Sequence, residues 1–332
     1  MTQYIQLFQS AIIFGTVILF GALGEIITEK SGNLNLGVPG IMYLGGIAGL
    51  SSVFFYEMHA ASPSGIVCLL IALCASFLAS AFGGLIFSFF TITLRVNQNV
   101  TGLTLNIFAG GLANFLGGSL NKLAGGVGQI SVAVTSKAFR ATPAFLSGMG
   151  AFGKFLQSFG FMVYLSIILA VAVSLFLNRS RAGLNLRAVG ENPATADAAG
   201  INVTRYKYLA TCIGAGISGF GGLYYVMDYT KGTWDSAGGI ESLGWLALAL
   251  VIFASWKSLR AIWSAYLFGA LFWLYLYIGD ILGVTFTRGS QELFKMTPYL
   301  VTILVLIVVS MRKKRENQPP ASLGLAYFRE ER

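Results

Sequence analysis

Charge is what this sequence has least of. Only 11% of its 332 residues are Asp, Glu, Lys or Arg, while 55% are hydrophobic. Soluble domains carry about a quarter charged residues, so a water-soluble chain of this length would have almost no polar surface, and that class is excluded. Histidine is nearly absent as well. His59 is the single one, with Glu57 the sole carboxylate close to it in sequence, so a Cys-His or Ser-His pair would need distant partners that the apolar runs do not offer. The three cysteines, Cys68, Cys74 and Cys212, fall inside apolar runs without metal-ligand spacing, which argues against a disulfide framework or a metal site. The start of the chain lacks the basic stretch and small-residue cleavage site of a signal peptide, so the first apolar run is expected to be retained.

What remains is a succession of long apolar runs. A crossing helix needs about 20 such residues, and candidates lie at 7–27, 38–56, 66–94, 100–118, 160–177, 208–227, 242–256, 261–281 and 298–311. The reading is an all-α, polytopic transmembrane bundle of about nine spans, with eight to ten allowed because boundaries are the weak part. The third run is long enough to be tilted, kinked or split, and the seventh and ninth are short, so re-entrant or broken helices are allowed. Residues 1–311 form the membrane domain and 312–332 a basic tail.

The formal net charge is +9, which elsewhere would suggest nucleic acid. Here the cations flank apolar runs: Arg179, Arg181, Arg187, Arg205 and Lys207, then Lys257 and Arg260, then Arg312, Lys313, Lys314 and Arg315. That is the positive-inside pattern of a membrane protein; nucleic acid is not expected, and the membrane lipid is. It places the tail, 256–260 and 178–206 in the cytoplasm, and 228–241 and 282–297 outside. The outer loops mix signs, Lys231 with Asp235, and Arg288 and Lys295 with Glu292. The segment 119–158 fits less well, since it holds Lys122, Lys137, Arg140 and Lys154 without an acid. The side of the N-terminus stays open.

Glycine is abundant, 41 residues, as expected where membrane helices approach closely. Gly214, Ser218 and Gly222 recur at helical spacing, as do Gly110, Asn114 and Gly118, and intramolecular helix contact is the simplest use of both stripes. Ser-x-Phe-Gly-Gly-Leu occurs twice, at 80–85 and 218–223, a weak hint of duplication.

The long polar segment 178–206 carries the most local information. Asn192 is a good N-cap with Pro193 at the first helical position. Residues 194–199 favour a helix, Gly200 supplies a left-handed stop, and Asn202 can cap the next span. The expectation is a short, rigid interfacial helix exposing Glu191, Thr195 and Asp197. A connector needs only a few residues, so this length and local specification favour docking of a partner.

The run Ala-Gly-Leu-Asn-Leu-Arg-Ala-Val-Gly-Glu-Asn-Pro-Ala-Thr-Ala-Asp-Ala-Ala-Gly-Ile at 182–201 resembles the cytoplasmic coupling segment of bacterial ABC importer permeases, in the family serving branched-chain amino acids, ribose-type sugars and nucleosides. A second stretch, Gly24-Glu25 followed by Glu29-Lys30-Ser31-Gly32 and then Leu34-Asn35-Leu36-Gly37 with Gly40-Ile41-Met42, is similar to the nucleoside (guanosine-type) branch, and most like its smaller permease subunit. Pro39 departs from the acidic residue many relatives have there. The resemblance implies coupling residues Glu191, Asn192, Thr195, Asp197, Gly200 and Ile201. It also implies separate ABC ATPase subunits, which carry the ATP and Mg, a second homologous permease and an extracytoplasmic substrate-binding lipoprotein. The setting would be a bacterial plasma membrane. No cofactor is expected on this chain.

A motor of its own is not expected. Gly148-Met149-Gly150-Ala151-Phe152-Gly153-Lys154 matches Gly-x4-Gly-Lys, but Phe155 has no hydroxyl for Mg²⁺ and no strand precedes. Polar residues near or inside spans are the candidate path: Asn35, Asn97, Asn99 and Asn106, with Asn33, Asn114 and Trp245 nearby. Neutral amides suit a neutral, hydrogen-bonding solute. Glu25 is read as structural and paired with Lys30. A sugar or branched-chain amino acid is the alternative cargo. An ion-driven secondary transporter would favour buried acids, and Glu25 is the one acid plausibly inside a span. An integral-membrane enzyme would need a polar constellation that the sequence does not offer.

Overall fold

The computed structural model describes residues 2–124, 130, 132–141, 153, 155–235, 238–282, 289, 293–294, 296–312 and 317–329. Apart from Gly153, the stretch 148–154 lies outside these residues, as do Arg288, Glu292, Lys295 and residues 313–315.

The described elements are helices. They run α1 (Thr2–Lys30), α2 (Val38–His59), α3 (Gly65–Ser88), α4 (Gln98–Leu123), α5 (Ala133–Phe139), α6 (Phe161–Arg179), α7 (Arg181–Glu191), α8 (Pro193–Ala198), α9 (Val203–Tyr224), α10 (Gly239–Phe253), α11 (Ser258–Leu282) and α12 (Thr297–Arg312). Two of them relax into π turns at their ends, Phe89–Thr93 after α3 and Tyr225–Tyr229 after α9, the local form the expected irregularity takes. Each of the nine expected spans coincides with a helix. Among the described residues, six helices are long and apolar enough to cross a membrane: α1, α2, α4, α6, and α3 and α9 with their π turns. The apolar segments Gly239–Phe253 and Ser258–Leu274 are shorter, and α12 has 16 residues. A count of nine therefore stays an expectation for the last three.

Long-range bonds sort the connections into two ends of the bundle. At one end Asn33 Nδ2 donates to Thr211 Oγ1 (2.9 Å), the Leu34 N–H donates to Gln98 Oε1 (2.6 Å), and Ser322 reaches Gly190. At the other, Glu57 accepts from the N–H groups of Val134 and Thr135, capping α5 from a distance, and Ser136 Oγ donates to the Met227 carbonyl. Following the chain, residues 178–206, 254–257 and 317–329 share the first end. The start of α1 lies at the second, together with His59, which is exposed at the end of α2 with Nδ1 2.8 Å from the Phe55 carbonyl.

α1 is the central helix, with 89% of its most apolar window buried, against 22% for α3 and 33% for α4 and α6. Close approach to α1 is made by glycine. Gly24 faces Gly214 and Ser218 of α9, and Gly214 faces Gly24 in return. Gly222 sits against the Met42 carbonyl of α2. One sequence stripe is thus a three-helix contact within the chain. In the other stripe Gly110 lies near Tyr43 and Asn114 accepts from Trp234 Nε1, whereas Gly118 meets nothing within 4 Å. The twice-used Ser-x-Phe-Gly-Gly-Leu lies on α3 and α9, which pack together running in opposite directions. Its two serines do matching work: Ser80 Oγ donates to the Ile41 carbonyl (3.1 Å) and Ser218 Oγ to the Gly21 carbonyl (3.0 Å).

Large apolar side chains point outward from the peripheral helices, among them Ile66, Leu70 and Leu78 on α3 and Ile107, Phe108 and Phe115 on α4. Such a surface suits lipid or another apolar helix rather than water.

A Cβ at Gly222 would have to displace helix backbone, so Gly222→Ala should lower thermal stability in detergent by about 1–3 kcal/mol. Gly118→Ala meets open space and removes a helix-interior glycine, so it should be neutral or stabilising by up to about 1 kcal/mol. Equal unfolding temperatures for the two variants would contradict this account.

Candidate functional site

The polar segment folds as its residues dictate locally. Ser180 opens α7, its Oγ accepting from the Gly183 N–H (2.9 Å). Gly183, Leu186, Val189 and Gly190 are buried, the spacing of one helix face. Asn192 stands at φ −151°, ψ 95°, and its Oδ1 accepts from the Thr195 N–H (3.0 Å), with Pro193 first in α8. Gly200 takes a left-handed φ of 82°, and the Ile201 N–H closes on the Ala196 carbonyl (3.0 Å). Asn202 Oδ1 then accepts from the Arg205 N–H (2.9 Å) to start α9. The caps and the glycine stop sit where the sequence places them. α7 is an additional helix that extends the segment backward to α6.

Beneath α7 and α8 is a small core of its own. Val189, Ala196 and Val203 are buried together, with Ile201, Tyr206 and Tyr327 packed against them. Asn185 Nδ2 donates to the Tyr206 hydroxyl (3.0 Å), tying α7 to α9. Of the six residues that resemble a coupling site, Glu191, Asn192, Thr195 and Gly200 are exposed, while Ile201 is partly buried in that core. Asp197 differs from expectation. Its side chain is only 14% exposed, because Tyr327 donates a hydrogen bond to Oδ2 (2.8 Å) and Arg329 Nε lies 3.1 Å from the same oxygen.

Those two residues belong to the C-terminal tail, which doubles back across the segment. The Ser322 N–H and Oγ both donate to the Gly190 carbonyl (3.0 and 2.6 Å), and the Gly324 N–H donates to the Gly32 carbonyl (3.1 Å). Arg95 stacks its guanidinium 4.7 Å over the Phe328 ring. A cavity of about 770 Å³ is left between tail, segment and bundle, with Arg95, Gln98, Lys207 and Asn33 in its walls. Nothing in the sequence of the tail beyond its basic start announces this return.

Next to the segment lies the α1–α2 bend. Gly190 fits against the Lys30 carbonyl. The Asn35 N–H donates to Glu25 Oε1 (3.0 Å) and the Gly37 N–H to Asn35 Oδ1 (2.9 Å). Glu25 is therefore structural as expected, but its partner is this backbone N–H rather than Lys30, because the bend brings unpaired peptide groups to it first. Glu29 is buried as well and accepts from Trp256 Nε1. Ser255 and Trp256 both take left-handed backbone, φ 54°, a conformation L-residues adopt at a cost, and the Glu29 bond holds them there.

The expected path residues separate. Asn35 is buried and bonded at the bend. Asn97 caps α4, its Oδ1 accepting from the N–H groups of Asn99 and Val100, and both Asn97 and Asn99 are exposed at the same end as the polar segment. Asn106 lies deeper, 6% exposed, with Nδ2 donating to Glu241 Oε1 (3.2 Å). Farther along α4 is a second group, of which sequence reasoning selected only Asn114. Trp234 Nε1 donates to Asn114 Oδ1 (3.3 Å) and its ring lies 6.2 Å from that of Tyr43, while the Tyr225 hydroxyl donates to Asp235 (2.7 Å). Trp245 is 36% exposed in the first turns of α10. Pro39 is buried in the first turn of α2, against Gly244.

If the tail is a structural strap, Tyr327→Phe combined with Arg329→Gln should loosen it. The exposed Arg329 pair is worth little, whereas the tyrosine bond to a carboxylate is worth roughly 1–2 kcal/mol. Amide exchange over 181–205 should then rise roughly tenfold, read by mass spectrometry. Unchanged exchange would mean that the tail contributes nothing to the order of the segment.

The family described as "Branched-chain amino acid transport system / permease component" matches residues 7–306. The chain is 31% identical to the nucleoside ABC transporter permease protein NupC of Lactococcus lactis, over 89% of each chain. It is 30% identical to the guanosine ABC transporter permease protein NupQ of Bacillus subtilis, over 90% of this chain and 89% of that one. It is also 30% identical, over 95% of each, to the ABC transporter permease protein TsgC13 of Haloferax volcanii, named provisionally for glucose. No solved structure matches. With six helices among the described residues able to span and an apolar exterior, this is a multi-pass membrane protein, and it belongs to the branched-chain amino acid transport system permease family.

Proposed function

We propose that this chain is one of two homologous permease subunits of a nucleoside importer, driven by ATP hydrolysed on separate subunits that dock on α7 and α8. The polar-segment end then faces the cytoplasm, the tail included, and a binding protein delivers cargo at the opposite end, in a bacterial plasma membrane. ATP and Mg belong to the docked subunits. The observation that carries the reading is the capped segment, with Glu191 and Thr195 exposed above a private core, in a chain similar to NupC and NupQ.

The chemistry follows from where the polar groups sit. A docked ATPase subunit pushes on α7 and α8, whose shared core makes them move together. Gly190 passes that motion to the α1–α2 bend, and the Leu34 bond to Gln98 passes it to α4. Asn106, farther along α4, presents an Oδ1 that is buried without a hydrogen-bond partner among the described residues. An acceptor of that kind, beside the Glu241 carboxylate, one turn from Gly110 where the Tyr43 ring packs and two turns from Asn114 where Trp234 donates, suits a solute with a flat base and a hydroxylated sugar. Aromatic faces stack the base, and carboxylate and amide take its N–H and O–H groups. The same carboxylate and amide without stacking would serve a sugar, the reading that TsgC13 favours.

In cells lacking other nucleoside carriers, deleting this chain should abolish uptake of labelled guanosine and leave glucose uptake intact; the reverse result selects the sugar. Asn106→Leu should cut guanosine uptake at least about tenfold by removing the paired amide, with membrane level unchanged, and undiminished uptake would take Asn106 out of the path.

For coupling, Gly200→Pro cannot adopt the left-handed backbone at this position, and Asp197→Lys sets like charge against Arg329. Both should abolish uptake and cargo-stimulated ATP hydrolysis of the assembled importer while the subunit still inserts. Normal uptake by both variants would remove the segment from the mechanism.

A further inference from the structure

A second cavity, of about 810 Å³, opens between the end of α6, α7 and the start of α11, with Gln318 and Pro320 at the start of the returning tail on one wall. Among the described residues its walls hold four cationic side chains, Lys30, Arg187, Lys257 and Arg260, and one carboxylate, Glu191. They come from four parts of the chain: the end of α1, the middle of α7, the α10–α11 turn and the first turn of α11. Like charges gathered from separate elements repel one another; Glu191, and Glu29 behind Lys30, offset part of that charge, and the positive excess that remains favours a bound anion. Arg187 supplies an independent sign of this. Its Nε is buried without a hydrogen-bond partner among the described residues, a costly state for a guanidinium unless something it binds completes it.

The rest of the lining says what kind of anion. Leu177, Leu184 and Leu259 share the walls with the cations. Leu184 and Leu259 are exposed, and one turn farther along α11 stands Trp263, 80% exposed on the outer surface. Tryptophan gathers at the level of lipid headgroups. Cations above, leucines beside and an indole at the rim match a molecule with a phosphate head and apolar tails. A soluble anion would gain nothing from the leucines.

We propose that this cavity holds the headgroup of an acidic phospholipid of the inner leaflet, its phosphate against Arg187 and Lys257 and its chains descending along α6 and α11. Basic pockets between membrane helices on the cytoplasmic side recognise anionic headgroups in this way. Arg187 and Glu191 lie on the same helix that receives the ATPase subunit, so an occupied pocket would brace α7 from below and make transport sensitive to lipid charge. The proposal shares with the functional reading only the assignment of this end to the cytoplasm, and its test does not depend on transport.

The intact importer is purified and exchanged into nanodiscs of mixed phosphatidylglycerol and phosphatidylcholine, and lipid retained after delipidation is counted by native mass spectrometry. Wild type should retain phosphatidylglycerol in preference to phosphatidylcholine. Arg187→Gln with Lys257→Gln should reduce that retention roughly tenfold or more. Arg260→Gln, at the exposed mouth, should reduce it less and guards against a folding defect in the double variant. Millimolar inorganic phosphate should not displace the lipid. Equal retention of the two lipids, or wild-type retention by both variants, overturns the proposal. Displacement by inorganic phosphate overturns it too, in favour of a soluble-phosphate site.

Discussion

The bend between α1 and α2 is the constraint on which the rest of this structure depends. A chain that leaves helical geometry inside an apolar bundle must find partners for its peptide groups, since neither lipid nor water can supply them. Here the partners are side chains held in place for that purpose. Glu25 accepts from the Asn35 N–H, Gln98 from the Leu34 N–H, and Asn35 from the Gly37 N–H, while Asn33 anchors to Thr211. Burying a carboxylate is costly, and removing its donor would cost more still. The bend is thereby fixed to α1, α4 and α9 at once.

That arrangement decides how the polar segment can act. Gly190 abuts the Lys30 carbonyl, and the tail joins Gly190 to Gly32 through Ser322 and Gly324. Segment, tail and bend share hydrogen bonds, and α7, α8 and the start of α9 share a core separate from the main one. A force on α8 therefore meets a small stiff unit rather than a loop. The unit's long-range hydrogen bonds lead inward to the bend, while Gly183 packs it against the Phe176 carbonyl at the end of α6. Trp256, in left-handed backbone and bonded to Glu29 near the end of α1, extends the same junction to the α10–α11 turn.

What could be read beforehand was what is decided locally. Asn192, Pro193, Gly200 and Asn202 act within a few residues of themselves, so their caps and stop are legible in sequence, as are the apolar runs. The glycine stripe of α9 was legible in kind but not in partner. Asp197 looked exposed because the tyrosine and arginine that cover it come from residues 327 and 329, far off in sequence. Glu25 was assigned the nearest cation because a peptide N–H carries no mark in a sequence. Asn97 and Asn99 looked like path residues by composition, and only the start of α4 showed them as a cap and its neighbour. Trp234 and Glu241 gave one weak signal, an aromatic residue and an acid close to a span end that is too short, and Tyr43, inside the second apolar run, gave none.

That shortness bears on the path itself. With 15 residues α10 is about 22 Å long, against a hydrocarbon core of about 30 Å. It ends at the turn that carries Trp256, so its start does not reach the opposite surface, and Glu241, although exposed, lies at mid-depth beside Asn106. The connection from α9 must descend to meet it, through a π turn, irregular backbone and a left-handed Gly238 at φ 84°. Irregular backbone at that depth is stable where protein or an internal polar space surrounds it. The side chains that surround it here are polar or aromatic, Asn106, Asn114, Tyr43 and Trp234, although leucine would fill the same space at lower cost if packing were their only role. Groups of that kind at mid-depth are expected where a solute must exchange its water for protein, and two of them, Asn106 and Asn114, lie on α4, the helix that the bend ties to the coupling end.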